Sequence, residues 1–218
     1  MEVYVKGVIY ILIYDFEVFR YDWLISWLDT KTRKVYHIWN DKAKFEKFYE
    51  YYKNDIWVGY NSRGYDQWIA KAILCGFDPY EMSKWIIEQD RKGHEFSRLL
   101  YQFPILNYDC AYFFKSLKEL EAYMGHNIKE TPIPFDLDRP LTETEIKLVI
   151  EYCMHDVWET FEVFIETKDE YEAILGLLKE FDLPINMISK TKAQLSAEIL
   201  GADPVKRNDE FDIQMPDC

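Results

Sequence analysis

Cysteine is scarce in this sequence and never paired: Cys75, Cys110, Cys153 and Cys218 are scattered, with no C-x-x-C among them. A disulfide framework and a thiolate zinc site are therefore not expected, and a reducing, cytoplasmic compartment is. Long apolar runs are also missing. The longest, Val8 to Tyr14, stops at Asp15, far short of a membrane span. It carries no small-residue cleavage pattern, so neither a membrane anchor nor a signal peptide is expected. Positive charge is in deficit, with 26 Lys+Arg against 39 Asp+Glu for a net charge of −13 over 218 residues. Phosphate binding ordinarily leaves a basic footprint. The balance thus speaks against nucleic acid, with one exception: an enzyme whose carboxylates hold divalent cations, which invert the local potential.

What is abundant is core material. Apolar residues make up 49% of the chain, and 7 Trp, 17 Tyr and 14 Phe give 17% aromatics. Disorder and fibrous structure are excluded by that composition. The length suits one large domain or one and a half ordinary ones. No repeat or low-complexity tract breaks the pattern.

The first forty residues read as strands. Val8–Val18 is β-branched and aromatic, Asp22–Leu28 carries Trp23, Ile25 and Trp27 at period two, and Lys34–Trp39 follows a polar turn. Short gaps predict an antiparallel meander. Phe45, Phe48, Tyr49 and Tyr52 then fall at helical spacing over Asp41–Lys53. Strand Ile56–Tyr60, a loop, helix Tyr65–Leu74 and a helix from Asp78-Pro79 to Gln89 follow. Ile105–Cys110 is a candidate fifth strand with a short helix, Ser116–Met124, behind it. Three prolines make 126–141 an extended loop. Thr142-x-x-Glu145 is a capping box that starts a helix running to Thr167, and Glu170–Phe181 is a further helix. The expected class is α/β: a mixed sheet, antiparallel meander plus parallel strands, flanked by helices. Residues 1–185 are expected to form one domain and 186–218 a C-terminal extension, a connection to another module or partner.

Three motifs carry candidate chemistry. In Tyr14-Asp15-Phe16-Glu17, Asp15 and Glu17 sit at i and i+2 of a strand and project from one face. Two neighbouring carboxylates in apolar surroundings are costly unless a cation neutralises them, although an isolated D-x-E is more often a solvent-facing pair. Asn61-Ser62-Arg63-Gly64-Tyr65-Asp66 follows a strand and opens a helix. Gly59 and Gly64 are spaced like phosphate-loop glycines, but Tyr65 and Asp66 stand where Lys and Ser/Thr belong, so a Walker site is rejected. In Tyr152-Cys153-Met154-His155-Asp156, Tyr152 and Asp156 share a helix face at i and i+4. His155 points about 100° away from Asp156 around that helix and reads as packing, or as support from behind the ligands.

Together, a D-x-E on the first strand, an N-x-x-x-Y-D after a later strand and a Y-x-x-x-D on a late helix resemble the DEDD superfamily of 3′–5′ exonucleases, in its tyrosine subgroup. In the sister subgroup a histidine lies five residues before the last aspartate, where this chain has Glu151. The resemblance covers about residues 5–185 and is nearest to the exonuclease domain of phage-type family B DNA polymerases. It implies a ribonuclease H-like sheet. It also implies catalytic roles for Asp15, Glu17, Asp66, Tyr152 and Asp156. The four carboxylates would hold two divalent ions, Mg²⁺ or Mn²⁺ rather than zinc. Asp15 would bridge them, Glu17 and Asp156 would complete the first ion's ligands, and Asp66 would act on the second. Tyr152 would orient the attacking water, releasing nucleoside 5′-monophosphates from single-stranded DNA 3′ ends. Phe16 and Tyr65 are candidates to stack on bases, and Asn61 and Arg63 to touch the strand. A polymerase or other replication proteins are the implied partners, and host cytoplasm the implied location if the chain is phage-encoded. No polymerase signature of the form Y-x-D-T-D follows, so no polymerase activity is expected. An RNA-trimming relative and a catalytically silent binding module of the same fold are the alternatives.

Overall fold

In the computed structural model the described residues are 10–111, 115–126 and 133–202. Five strands form one sheet: β1 (Ile11–Val18), β2 (Trp23–Asp29), β3 (Lys34–Trp39), β4 (Ile56–Gly59) and β5 (Leu106–Asp109), in spatial order β3-β2-β1-β4-β5. The meander is antiparallel, with Asp15 opposite Ser26 and Ser26 opposite His37, whereas β4 and β5 run parallel to β1. Among the described residues seven α-helices flank it: α1 (Lys42–Tyr52), α2 (Asp66–Cys75), α3 (Pro79–Ile87), α4 (Leu117–Met124), α5 (Glu143–Glu166), α6 (Lys168–Glu180) and α7 (Lys192–Ile199). This is the expected α/β, ribonuclease H-like arrangement.

Alternation along β1 assigns the two faces. Leu12, Tyr14, Phe16 and Val18 point into an aromatic core with Phe45, Phe48, Tyr49 and Tyr52 of α1 and the buried face of α2. Ile13 points the other way, into a second core with Val157, Val163 and Phe164 of α5 and Tyr171 of α6. Asp15 and Glu17 share the Ile13 face. They therefore stand under α5, beyond the point where its apolar stripe covers the sheet.

Local signals explain the helix starts. Asp41 and Asp78 cap α1 and α3 by accepting from Lys44 N and Tyr80 N. Thr142 and Glu145 form the reciprocal capping box of α5, and Arg139 grips Glu145 with two 2.8 Å bonds. Ends differ from expectation by one or two residues: β4 stops at Gly59, α2 starts at Asp66 and α3 stops at Ile87. Residues 8 and 9 of the first expected strand, and 127–132 of the expected loop, lie outside the described residues. Two short 3₁₀ turns between α3 and β5, the turn Ile185–Ser189 and α7 are absent from the sequence reading. The last two fall beyond the expected boundary at 185, yet Ile188 and Leu195 are buried in the second core. Ser189 Oγ accepts from Asn107 N at 3.1 Å beside edge strand β5. Residues 203–218 lie outside the described residues.

Candidate active site

The C-terminal half of β1 supplies Asp15 and Glu17, the start of α2 supplies Asp66, and the middle of α5 supplies Tyr152 and Asp156. The turn that delivers Asp66 is built tightly. Asn61 takes a left-handed φ of 55°, and Gly64 N donates to Asn61 O at 3.1 Å. A Cβ on Gly59 would come within 2.6 Å of Ser62 Cβ, so that strand end tolerates no side chain. Ser62 is buried and donates to Asn107 Oδ1 at 3.1 Å, sharing that acceptor with Tyr14 OH at 2.8 Å. Asp109, at the end of β5, accepts from Arg63 N at 3.0 Å and fixes the turn from the far side. Asp66 Oδ1 then accepts at 3.2 Å from Phe16 N, the N–H of the peptide that joins Asp15 to Phe16.

The four carboxylates sense one another. Burial is the first cause that raises Asp15 well above the ordinary carboxylate range, and repulsion from Asp66, Glu17 and Asp156 adds to it. Glu17, 6% exposed, is raised by burial and by Asp156 and Asp66, with Lys118 pulling it back. Burial and the Asp109 charge push Asp66 up to about 7 despite its bond from Phe16 N. Asp156 is raised by burial even though Lys118 Nζ donates to its Oδ1 at 2.6 Å. Burial and the Asp156 and Glu17 charges raise Tyr152, one helical turn before Asp156 on α5. Four acids thus meet one ammonium, which also lies 4.7 Å from the Tyr152 ring centroid. Low-dielectric surroundings and like charge both disfavour ionisation, and a bound cation relieves both.

Cys153 enters the same site from α5. Its thiol donates towards Asp15 Oδ2 at 3.5 Å, and donor atoms of Asp15, Glu17 and Cys153 lie within 4.8 Å of one another. Burial and the Asp15 charge hold that thiol well above its ordinary range. It is therefore a hydrogen-bond donor to Asp15 rather than a thiolate. Oxygen donors dominate this buried acidic set, which could hold metal ions.

A cleft of about 290 Å³ opens beside Glu17, walled by Phe16, Tyr65, Tyr80 and Phe135, with Lys84 and Glu88 on its lining. Tyr65 is partly buried, and its hydroxyl is bonded to Ser83 Oγ at 2.9 Å. Phe16 is a correction. At 4% exposure, with its ring edge-on to Tyr14 and Phe45, it offers no open face for a base to stack on. Arg63 and Asn61 are likewise not brought among the carboxylates. The Arg63 guanidinium donates from Nε to Ser189 O at 3.2 Å, tying the turn to the segment after α6. Asn61 is an exposed turn former.

Sequence reasoning missed Lys118, Asp109 and Cys153. A single lysine beside two glutamates on an eight-residue helix looks like solvated charge, and its partner is 38 residues away. Asp109 offered a weak signal, as a carboxylate closing a strand parallel to β1.

No family model matches the chain, and no curated protein matches it in sequence. A solved structure of the family B DNA polymerase from the hyperthermophilic archaeon Pyrobaculum calidifontis is similar, with a TM-score of 0.54 at 15% identity over 89% of this chain. The chain spans 28% of that polymerase's length. At this identity the likeness is one of fold. Among the described residues no helix is long and apolar enough to cross a membrane.

Proposed function

We propose that the chain is a metal-dependent 3′–5′ exonuclease of the DEDD tyrosine subgroup that removes nucleoside 5′-monophosphates from single-stranded DNA ends, proofreading for a DNA polymerase of the phage type. One observation carries the reading. Asp15, Glu17, Asp66 and Asp156 come from three separate elements to the end of one strand, and each is held above its ordinary range. A fold gains no stability from such a cluster in the absence of cations. The similarity in fold to a family B DNA polymerase agrees with it.

In this reading Asp15, Glu17 and Asp156 hold one divalent ion, and Asp15 and Asp66 hold a second. When bound, such ions lower the pKa of water and stabilise charge on the phosphodiester and the departing 3′ oxygen. The chain's own residues do the rest. Tyr152, packed at the Lys118 ammonium, presents a neutral hydroxyl whose proton stays in place across the physiological range. It can therefore orient a water without competing to accept its proton. Cys153 and Phe16 N fix the carboxylates of Asp15 and Asp66. The cleft beside Glu17 takes the terminal nucleotides, with Tyr80 and Phe135 of its walls stacking on bases and Lys84 meeting a phosphate. The exonuclease body in this reading extends through α7, since Ile188 and Leu195 complete its core. Replication proteins reach it in the cytoplasm.

Single-stranded oligonucleotides labelled at either end, incubated with Mn²⁺ or Mg²⁺, test the proposal. A 5′-labelled strand should shorten stepwise, a 3′-labelled strand should release its terminal nucleotide first, and chelator should stop both. Degradation from the 5′ end or activity in excess chelator would overturn it. Preference for an RNA strand of the same sequence would replace DNA by RNA as substrate.

A further inference from the structure

The seam between α4 and α5 holds a second polar cluster, on the side of α5 that His155 faces. Glu121 of α4 is fully buried. Its Oε1 accepts from Lys118 Nζ at 3.0 Å, but its Oε2 is enclosed with no hydrogen-bond partner, and so is His155 Nε2. These two atoms lie 3.8 Å apart, and the same His155 nitrogen lies 3.7 Å from Glu159 Oε1. The other oxygen of Glu159 meets His126 Nδ1 at 2.7 Å, and His126 Nε2 lies 3.5 Å from Glu162 Oε2.

Separations of 3.7–3.8 Å are too long for hydrogen bonds. They approach the spacing of two ligand atoms on one tetrahedral ion, about 3.4 Å for bonds of roughly 2.1 Å. Enclosed polar atoms without partners are costly, and an ion between them removes that cost. Charge points the same way. Glu121, Asp156 and Glu159 are all buried, and among the described residues Lys118 is the one lysine bonded to any of them.

We propose that this seam binds one zinc-class divalent ion, with His155 Nε2, Glu121 Oε2 and Glu159 Oε1 as ligands and His126 holding Glu159 from behind. Carboxylates that hold a metal are themselves hydrogen-bonded from behind, and His126 Nδ1 makes that contact to Glu159. The imidazole distinguishes the site from the oxygen set at Asp15, because nitrogen ligands favour zinc, cobalt or nickel over magnesium. Its role is structural: it pins α4 to α5 and so keeps Lys118 against Asp156. The proposal does not depend on the exonuclease reading.

The test uses the full chain carrying Asp15→Asn and Glu17→Gln, which disarms the other cluster. Zn²⁺ is titrated by calorimetry in excess Mg²⁺. One Zn²⁺ per chain should bind, and binding should vanish on adding His155→Ala or, separately, Glu121→Gln, which keeps the side chain's shape and its bond to Lys118. His126→Ala should weaken binding about 10–100-fold, as expected for an outer partner. Circular dichroism without metal checks that each variant is folded; if His155→Ala is not, Glu121→Gln decides alone. No zinc uptake in the disarmed chain, or uptake undiminished by Glu121→Gln, would overturn the proposal.

Discussion

Alternate residues of one strand lead to opposite kinds of environment. Leu12, Tyr14, Phe16 and Val18 enter a core in which Trp57 packs at 5.3 Å from Tyr14 and 5.0 Å from Phe48, with its indole N–H donating to Tyr52 O at 3.0 Å. On that face nearly every group has a partner, and edge-to-face aromatic contacts add to the burial. On the other face Ile13 gives way to Asp15 and Glu17, which meet two more buried carboxylates and a single lysine. The contrast separates two purposes within eight residues. The even positions stabilise the sheet, and that stability supports a set of charges which the fold alone does not neutralise.

The comparison is broken most completely at Asp156. Asp156→Ala removes a proposed ion ligand and leaves Lys118 facing Glu121, so turnover should fall nearly to background while the fold persists. Parental turnover in that variant would show that α5 carries no catalytic role. On the aromatic face the largest effect is on stability. Trp57→Ala deletes a fully buried indole and should cost about 3–5 kcal/mol by denaturant unfolding. A cost below about 1 kcal/mol would mean that this face collapses around the gap. Tyr152→Phe is finer. It keeps ring and packing but loses the hydroxyl proposed to orient the water, and single-turnover assays should show a loss of about tenfold to a thousandfold. Unchanged turnover would make Tyr152 a packing residue.

A smaller effect sharpens the electrostatic side. Asp66 is pushed up to about 7, chiefly by burial, and Asp15, Glu17 and Asp156 are raised as well. Between the unfolded carboxylate range near pH 4 and about pH 7, the folded chain therefore binds more protons than the unfolded one. This contribution is fully present below the unfolded pKa and is lost as pH rises through the folded one. The metal-free protein should melt at lower temperature at pH 8 than at pH 5.5, and Asp66→Asn should flatten the slope. A melting temperature rising over that window, with the same slope in Asp66→Asn, would contradict the cluster.

How much of this was legible in the sequence follows from where each signal resides. The meander, α1 and α5 carried period-two or helical patterns and a capping box, all local, and they appear as expected. Asp15, Glu17, Asp66, Tyr152 and Asp156 were named on motif order, which puts them on β1, α2 and α5. What local pattern does not encode is pairing across elements. Lys118 with Asp156, Glu121 with His155 and Arg63 with Ser189 each join residues at least 34 positions apart. The α7 helix buries one residue, Leu195, too little to announce an amphipathic face. Phe16 was ambiguous for the opposite reason, since a catalytic neighbour and a core position read alike until the register of β1 is known.

The central claim is that the Asp15 cluster is held for function at the expense of stability, and Asp15→Asn tests it most directly through two readings on one sample. The account predicts that the metal-free variant melts at a higher temperature than the parent, because a buried, repelled charge is gone. Its Mn²⁺-dependent nuclease turnover should be lost. A variant that melts lower than the parent and retains turnover would contradict the account.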